Sequence, residues 1–568
     1  MSRVILAGMD DFKKVRVGNS LYVDKSDFIS ELLDTGSVVV AIARPRRFGK
    51  SLNMSMLSYF FDVNDKEENR KLFKGLKIEK SPYFAKQGQY PVINLTFKNF
   101  KAMNFQDCYN KIVKLVVTEY DKHPYLKDSP KLTDIEKKNY NKILNREGNG
   151  SDYESSLGDL SKYLYKHHGR EVVILVDEFD TPAIEGELKG YYEEVSNFMQ
   201  AFLGEALKGN DKIFKGVVTG ITRLQGAGIF SGVNSARNCT VLNSAYKDKF
   251  GFTEREVEDL LIEYNMRDKE ESVREHYNGY NFKGETIYNP YSVLSCVDSG
   301  ELDNFWLSSS SNDIAKKKMK QLIKMEGDEV IRKMVEDLLQ GKKVKMKVKE
   351  VLSIGDDMLA MDILNLLLHS GYLKYEDSSE KGYVEVSIPN LEIKKIYDQS
   401  IEEWIEKEYG MEEIEELKKF LRSVCVGGVV DIKERLERYL NRRSMLDGEK
   451  VLEMGYHNFL FGLLQGLEGS YLLDSNKESG GGRFDIMLTP TKEKEHGNES
   501  RSGVIIELKV GEKNRLKSRS EEALKQIEEK KYYKSFEGQG MRRARLVGIA
   551  FHKKDVEVAL KEIELVSK

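Results

Sequence analysis

Residues 37–43, SVVVAIA, form an unbroken apolar and β-branched run, and the chain passes from it directly into RPRRFGKSLNMSMLSYFF, where apolar residues return at helical spacing. A run without alternation is a strand covered on both faces, and a strand that feeds a helix at once belongs to a parallel sheet layered by helices. The run VVILV at 172–176, ending in Asp177, Glu178, Phe179 and Asp180, repeats the pattern, as does FKGVVTGITRL at 214–224. Segments such as 190–208 supply covering helices. The N-terminal half therefore reads as α/β.

The loop between the first strand and its helix carries chemistry. A phosphate cradle needs glycine for close backbone approach, a lysine for the β- and γ-phosphates, and a hydroxyl for magnesium at a helix N-terminus. Gly49, Lys50 and Ser51 fill the last three positions of GxxxxGK[ST], while Arg44 stands where the first glycine is expected. Asp177, at the end of a buried strand, is placed to hold magnesium through water, and Glu178 to orient or deprotonate an attacking water. Thr219 and Arg223, at the end of the third strand, are candidates for sensing the γ-phosphate, and a surface turn is the other reading of Arg223.

A second charged group interrupts apolar strands near the C-terminus. In RFDIML, Asp485 breaks the pattern, and in VIIELKV, Glu507 and Lys509 stand two apart and so share one face of a strand. Charge on a buried strand is costly unless paired or functional. An isolated ExK is most simply an edge-strand ion pair. Acidic oxygens and a lysine on adjacent strands are what metal-dependent phosphodiester cleavage needs, and an acidic residue in the preceding helix, Glu453, and a following helix with Gln526 and Tyr532 accompany the pair. His457, one turn from Glu453, reads more simply as a packing histidine.

The motifs LYVDKSDFISELL, RPRRFGKSLNMSML, ILVDEFDTP, GVVTGITRL, IFSGVNS, FGFTEREV, HYNGYNF and YNPYSVL, spread over residues 8–310, resemble the AAA-ATPase-like proteins found alongside PD-(D/E)XK nuclease domains. Residues 446–555, with LEMGYHNFLFGLLQGL and EALKQIEEKKYY, resemble the nuclease part. That resemblance implies nucleotide binding by an arginine-rich loop, with Arg47, Gly49, Lys50, Ser51, Asp177, Thr219 and Arg223 as nucleotide residues and Ser51 and Asp177 on the metal side. Whether ATP is hydrolysed or only bound stays open, because related P-loop ATPases have glycine where Arg44 stands. The resemblance also implies Asp485, Glu507 and Lys509 as a catalytic trio, Asp485 and Glu507 holding Mg2+ or Mn2+, with Glu453 as an extra ligand and Gln526 in support. Phe484, not proline, precedes Asp485.

A chain of 568 residues is too long for one core. The expected domains are an AAA-ATPase-like P-loop domain with a small helical subdomain at 1–310, a helical, winged-helix-like region at 311–409, a helical connector at 410–445, and a restriction-endonuclease-like α/β domain at 446–568. Thr253 and Glu256 form a capping box opening the helical subdomain. With 90 basic and 93 acidic residues, any surface for nucleic acid must be local. One candidate is Lys343, Lys345, Lys347 and Lys349 in GKKVKMKVKEV, although a solvated edge strand is the simpler reading. Four scattered cysteines without CxxC pairs, an N-terminus without a secretory core and apolar runs too short for a bilayer give the expectation of a cytoplasmic protein outside the membrane. The expected function is nucleotide binding, with ATP, coupled to metal-dependent cleavage of nucleic acid, DNA before RNA. A homo-oligomer is implied if a loop arginine acts across a subunit boundary. The alternative is a catalytically inactive, nucleotide-switched module that binds nucleic acid or protein.

Overall fold

In a computed structural model, the apolar runs of the N-terminal half are neighbours in one sheet. β1 (Val39–Ala43), β2 (Val92–Thr96), β3 (Val172–Asp177), β4 (Ile213–Gly220) and β5 (Ala236–Cys239) lie in the order β2-β3-β4-β1-β5, all parallel. Their lack of alternation has a direct cause. Val39, Ala41, Val172, Ile174 and Val176 face one apolar cluster, and Val40, Ile42, Val173 and Leu175 face another. The second cluster is completed by α1 (Phe12–Val17), α2 (Asp27–Asp34) and α3 (Lys50–Phe61), after which comes the short α4 (Lys66–Lys71). The first is completed by α5 (Phe105–Asp121), α6 (Asp134–Leu144), α7 (Gly150–His168), α8 (Thr181–Lys189) and α9 (Tyr192–Leu207).

The structure describes residues 3–98, 100–221, 236–306, 313–324, 334, 337–338, 341–349, 358–378, 380, 382–397, 411–441, 460, 464, 471–475, 478–479, 482–483, 485–490, 502–536 and 541–565. Among them, no helix is long and apolar enough to cross a membrane. The chain divides into two compact units, Met1–Ile401 and Glu402–Lys568.

A smaller subdomain follows the parallel sheet in the first unit. It holds β6 (Phe252–Thr253), α10 (Glu254–Glu263), α11 (Glu270–Tyr277), β7 (Tyr280–Phe282), β8 (Glu285–Tyr288) and α12 (Pro290–Ser299), with a core that includes Val257, Leu260, Tyr277 and Val293. Thr253 and Glu256 make both hydrogen bonds of a capping box on α10. Next come α13 (Asp313–Lys324), β9 (Val344–Lys347), α14 (Ala360–His369), β10 (Lys374–Asp377) and β11 (Tyr383–Ser387). The three strands pair antiparallel in the order β10-β11-β9. On the edge strand β9, Val344 and Met346 are buried while Lys345 and Lys347 are exposed, as are Lys343 and Lys349 beside it. Lys343, Lys345 and Lys349 pair with Glu376, Glu380 and Asp362, which matches a solvated edge.

The second unit is built from α15 (Met411–Val426), α16 (Val429–Asn441), β12 (Tyr471–Ser475), β13 (Glu478–Ser479), β14 (Gly482–Arg483), β15 (Ile486–Pro490), β16 (Ser502–Val510), α17 (Leu516–Lys530), β17 (Arg543–His552) and β18 (Asp555–Glu564). Its main sheet runs β12-β15-β16-β17-β18, with β16 and β17 parallel and the other neighbours antiparallel. The two helices expected as a connector pack against one face, Phe420, Val424, Ile432 and Leu436 meeting Val504, Ile506 and Leu508. The other face meets α17 and the turn after it, through Ile505, Ile527, Tyr532 and Phe536. β18 lies beyond the last strand visible in the sequence pattern.

Candidate functional site

The loop 44–49 turns from β1 into α3 around two left-handed residues, Arg47 at φ 68° and Gly49 at φ 81°. Glycine takes that conformation freely, whereas arginine holds it only when its surroundings compensate. The Arg47 guanidinium lies over the ring of Tyr291 at 4.7 Å, from the first turn of α12. Lys50 opens α3 and is buried, its ammonium donating to the carbonyls of Arg44 and Pro45 at 2.9 Å each. Burial lowers its pKa, and the carboxylates of Glu178, Asp177 and Asp180 oppose that shift.

Arg44 is fully buried, and apart from the carbonyl that receives Lys50 it turns away from the cradle. Its guanidinium donates to the carbonyls of Ala43, Cys239, Ala245 and Tyr246, at 2.9, 3.0, 3.0 and 3.4 Å. The aromatic rings of Phe250 and Phe282 enclose it. Burial pushes its pKa down to about 10, still far above neutrality. The residue that departs from the glycine pattern is therefore a strut between the end of β1 and the chain leaving β5.

Asp177, at the end of β3, gathers the neighbouring hydroxyls. Ser51 donates to its Oδ2 at 2.6 Å and Thr219, from β4, donates to its Oδ1. Parallel pairing of β3 with β4 places Thr219 there, so Ser51, Asp177 and Thr219 meet although they are far apart in sequence. Glu178 stands at φ 54°, and burial raises its carboxyl pKa against the pull of Lys50. Asp180 is fully buried and accepts the Ile221 amide at 2.7 Å, fastening the exit of β4.

Arg47, Lys50, Ser51, Glu178 and Tyr291 border a cavity of about 350 Å³. Arg46, Gly49, Lys50, Ser51 and Glu178 line one part, and Leu6, Met9, Leu21, Phe252 and Leu294 another. Lys98, just after β2, also lines it and pairs with Asp10. No local sequence signal marks Lys98, and although Leu21, Phe252, Tyr291 and Leu294 fall within the motifs LYVDKSDFISELL, FGFTEREV and YNPYSVL, nothing local places them beside the loop, because they arrive from separate segments. Arg223 falls outside the described residues. The hydroxyl, carboxylate and lysine set at a helix start fits the triphosphate and magnesium that such a loop implies.

In the second unit, β15 and β16 pair so that Ile486 faces Ile506, which sets Asp485 beside Glu507. Asp485 accepts the Leu508 amide at 2.7 Å, and Glu507 accepts a hydrogen bond from the Gln526 amide of α17. The Lys509 ammonium is 3.8 Å from Glu507, whose side chain is almost fully buried. Gly548 on β17 lets α17 come this close. A Cβ there would lie 2.2 Å from the Ser520 carbonyl oxygen and 2.6 Å from the Leu524 nitrogen. Tyr532 is buried beside the same carboxylates, and burial raises its pKa, with Glu507 and Asp485 adding to the rise. Asp485, Glu507, Lys509 and Gln526 thus converge, while Glu453 and His457 fall outside the described residues. Two hard oxygen donors on adjacent strands beside a lysine fit a divalent cation and a phosphate ester. Among the described residues, no group of three or more His, Cys, Asp or Glu side chains stands ready to hold an ion.

Residues 6–230 match the family described as predicted AAA-ATPase, and residues 451–560 match the PD-(D/E)XK nuclease superfamily. A protein of Azotobacter chroococcum mcd 1, described as "Uncharacterized protein in vnfD 5'region", is 27% identical over 307 residues. That alignment covers 54% of this chain and 54% of the relative, so each matches the other over about half its length.

Proposed function

We propose, from the premise that the chain joins an AAA-ATPase-like domain to a PD-(D/E)XK nuclease superfamily domain, that it is a nucleotide-controlled nuclease. It binds ATP with magnesium in the first domain and cleaves phosphodiester bonds of nucleic acid, DNA in the first instance, with Mg2+ or Mn2+ in the second. The observation that carries this reading is the convergence of Asp485, Glu507, Lys509 and Gln526.

At the nucleotide site, Lys50 exchanges its two loop carbonyls for phosphate oxygens, and the start of α3 aims backbone amides at the same anion. Ser51 and Asp177 hold the ion side, Thr219 fixing the carboxylate. Glu178, its pKa raised by burial, is suited to take a proton from water. At the nuclease site, a bound ion supplies Lewis-acid polarisation and a more acidic water. The Leu508 amide orients Asp485, Gln526 orients Glu507, and Lys509 offsets negative charge on the phosphate under attack.

Labelled single- and double-stranded DNA and RNA, incubated with the full chain and Mg2+ or Mn2+, with and without ATP, test the reading. Lys509→Ala should lower metal-dependent cleavage about 100-fold or more. Asp485→Asn, which keeps an acceptor for the Leu508 amide, should abolish cleavage without unfolding the chain. Wild-type protein that cuts no substrate under any of these conditions would sink the nuclease and leave a nucleotide-switched binding protein.

A further inference from the structure

The chain as a whole is nearly neutral, yet its charge is not evenly spread. Between Lys509 and Arg519 the sequence KVGEKNRLKSR holds five cations, Lys509, Lys513, Arg515, Lys517 and Arg519, against the single carboxylate of Glu512. Lys509 belongs to the nuclease site, and the other four follow it out of β16 into the first turns of α17. Lys513, Arg515 and Lys517 are exposed.

The fold turns this sequence cluster into a directed surface. Glu507 and Lys509 share the parity of Ile505, which faces α17, so the site opens on the same face as that helix. The strand exit is pinned to β17, since Gly511 donates its amide to Phe551 at 3.1 Å and its carbonyl oxygen lies 2.8 Å from His552 Nδ1. Gly511 has no side chain, and the Arg519 stem crosses over it, with Cγ 2.9 Å from where a Cβ would stand. The segment that carries the cations thus leaves β16 at a fixed corner, two residues after Lys509.

Their pairing leaves them available. Lys513 meets Asp555 at 3.0 Å and Arg519 meets Glu522 at 2.7 Å, both largely exposed pairs that stabilise little and exchange readily. Arg515 and Lys517 meet no carboxylate among the described residues. By contrast, three of the lysines on and beside β9 are paired with carboxylates.

We propose that the turn from Lys513 to Arg519 is a phosphate rail that holds the nucleic-acid backbone flanking the scissile bond and leads it to Lys509. Its partner is a polyanionic sugar-phosphate strand, read through charge and not through base edges. This rests on the nuclease reading for the location of the cut, but not for the binding itself.

The test uses the full chain in EDTA, where no metal-dependent cleavage occurs, with a fluorescein-labelled 30-base-pair duplex and a 30-nucleotide single strand read by anisotropy across a salt series. Arg515→Gln combined with Lys517→Gln should weaken binding about ten-fold near 100 mM salt and reduce the salt slope by about two. Arg515→Lys with Lys517→Arg should bind as wild type does, which separates lost charge from lost fold. Unchanged affinity and slope in the Gln pair, or a charge-preserving pair as weak as the Gln pair, would overturn the rail. Wild-type protein that binds but never cleaves when metal is restored would defeat the nuclease reading and leave the rail standing.

Discussion

At the residue scale, the most informative side chains are those whose burial contradicts their chemistry. Arg44 keeps a full charge among aromatic rings because four carbonyl oxygens accept hydrogen bonds from its guanidinium. Removing it takes a donor from each of these buried carbonyls, of which Tyr246 alone is seen to keep another, the Lys249 amide at 3.3 Å. Arg44→Ala should therefore destabilise the first unit by about 3 kcal/mol in urea unfolding, and Arg44→Gly should not raise ATP turnover even though it restores the usual glycine. Glu392 is a second case. It is fully buried, accepting Ser292 Oγ and the Trp306 amide at 2.8 Å each, and burial pushes its carboxyl up to about 7 from an ordinary 4.5. Between those values the folded chain keeps a proton that the unfolded chain has released. Its contribution is complete below about pH 4.5 and is lost as pH rises through 7, a change of about 3 kcal/mol. Denaturant unfolding of Glu392→Gln at pH 5 and pH 8 should show a flatter dependence than wild type. An equal slope in both proteins would assign the pH effect to other groups.

At the element scale, helices set the distances on which both sites depend. α3 begins where Gly49 adopts its left-handed turn, so Lys50 and Ser51 arrive at the cradle in their first helical turn. α17 reaches Glu507 because Gly548 removes the side chain that would hold helix and strand apart. Gly548→Ala should push α17 outward, separate Gln526 from Glu507 and cost about 2–3 kcal/mol of stability. Denaturant midpoints and cleavage rates measured together check this, and a variant with wild-type stability would show that the helix yields without strain. The β-strands are as telling. β1 throughout and β3 from Val172 to Val176 carry apolar residues at every position because each face meets its own helical layer, whereas β9 alternates because one face meets water.

At the scale of the whole molecule, two compact units carry the two sites, each with its own apolar cores. If nucleotide governs cleavage, ATP should change the cleavage rate of wild type and leave Lys50→Ala unaffected, with the nucleotide-free rates of the two proteins alike. A Lys50→Ala protein that still responds to ATP would place the control elsewhere. Much of this was legible in the sequence. Unbroken apolar runs announced the parallel sheet, Gly49-Lys50-Ser51 and Asp177-Glu178 marked the loop and strand end proposed here to hold nucleotide, and Glu507 and Lys509 shared a face by period alone, because these are properties of neighbouring residues. Other features depended on which segments meet. The burial of Arg44 against Cys239, Ala245 and Tyr246, the approach of Tyr291 to Arg47, the close packing of α17 at Gly548 and the placement of α15 and α16 on a sheet face join residues far apart in the chain. The chemical groups follow from local sequence. Their distances and burial follow from tertiary packing, because a pairing register or a helix-to-sheet contact is settled only when both partners are in place.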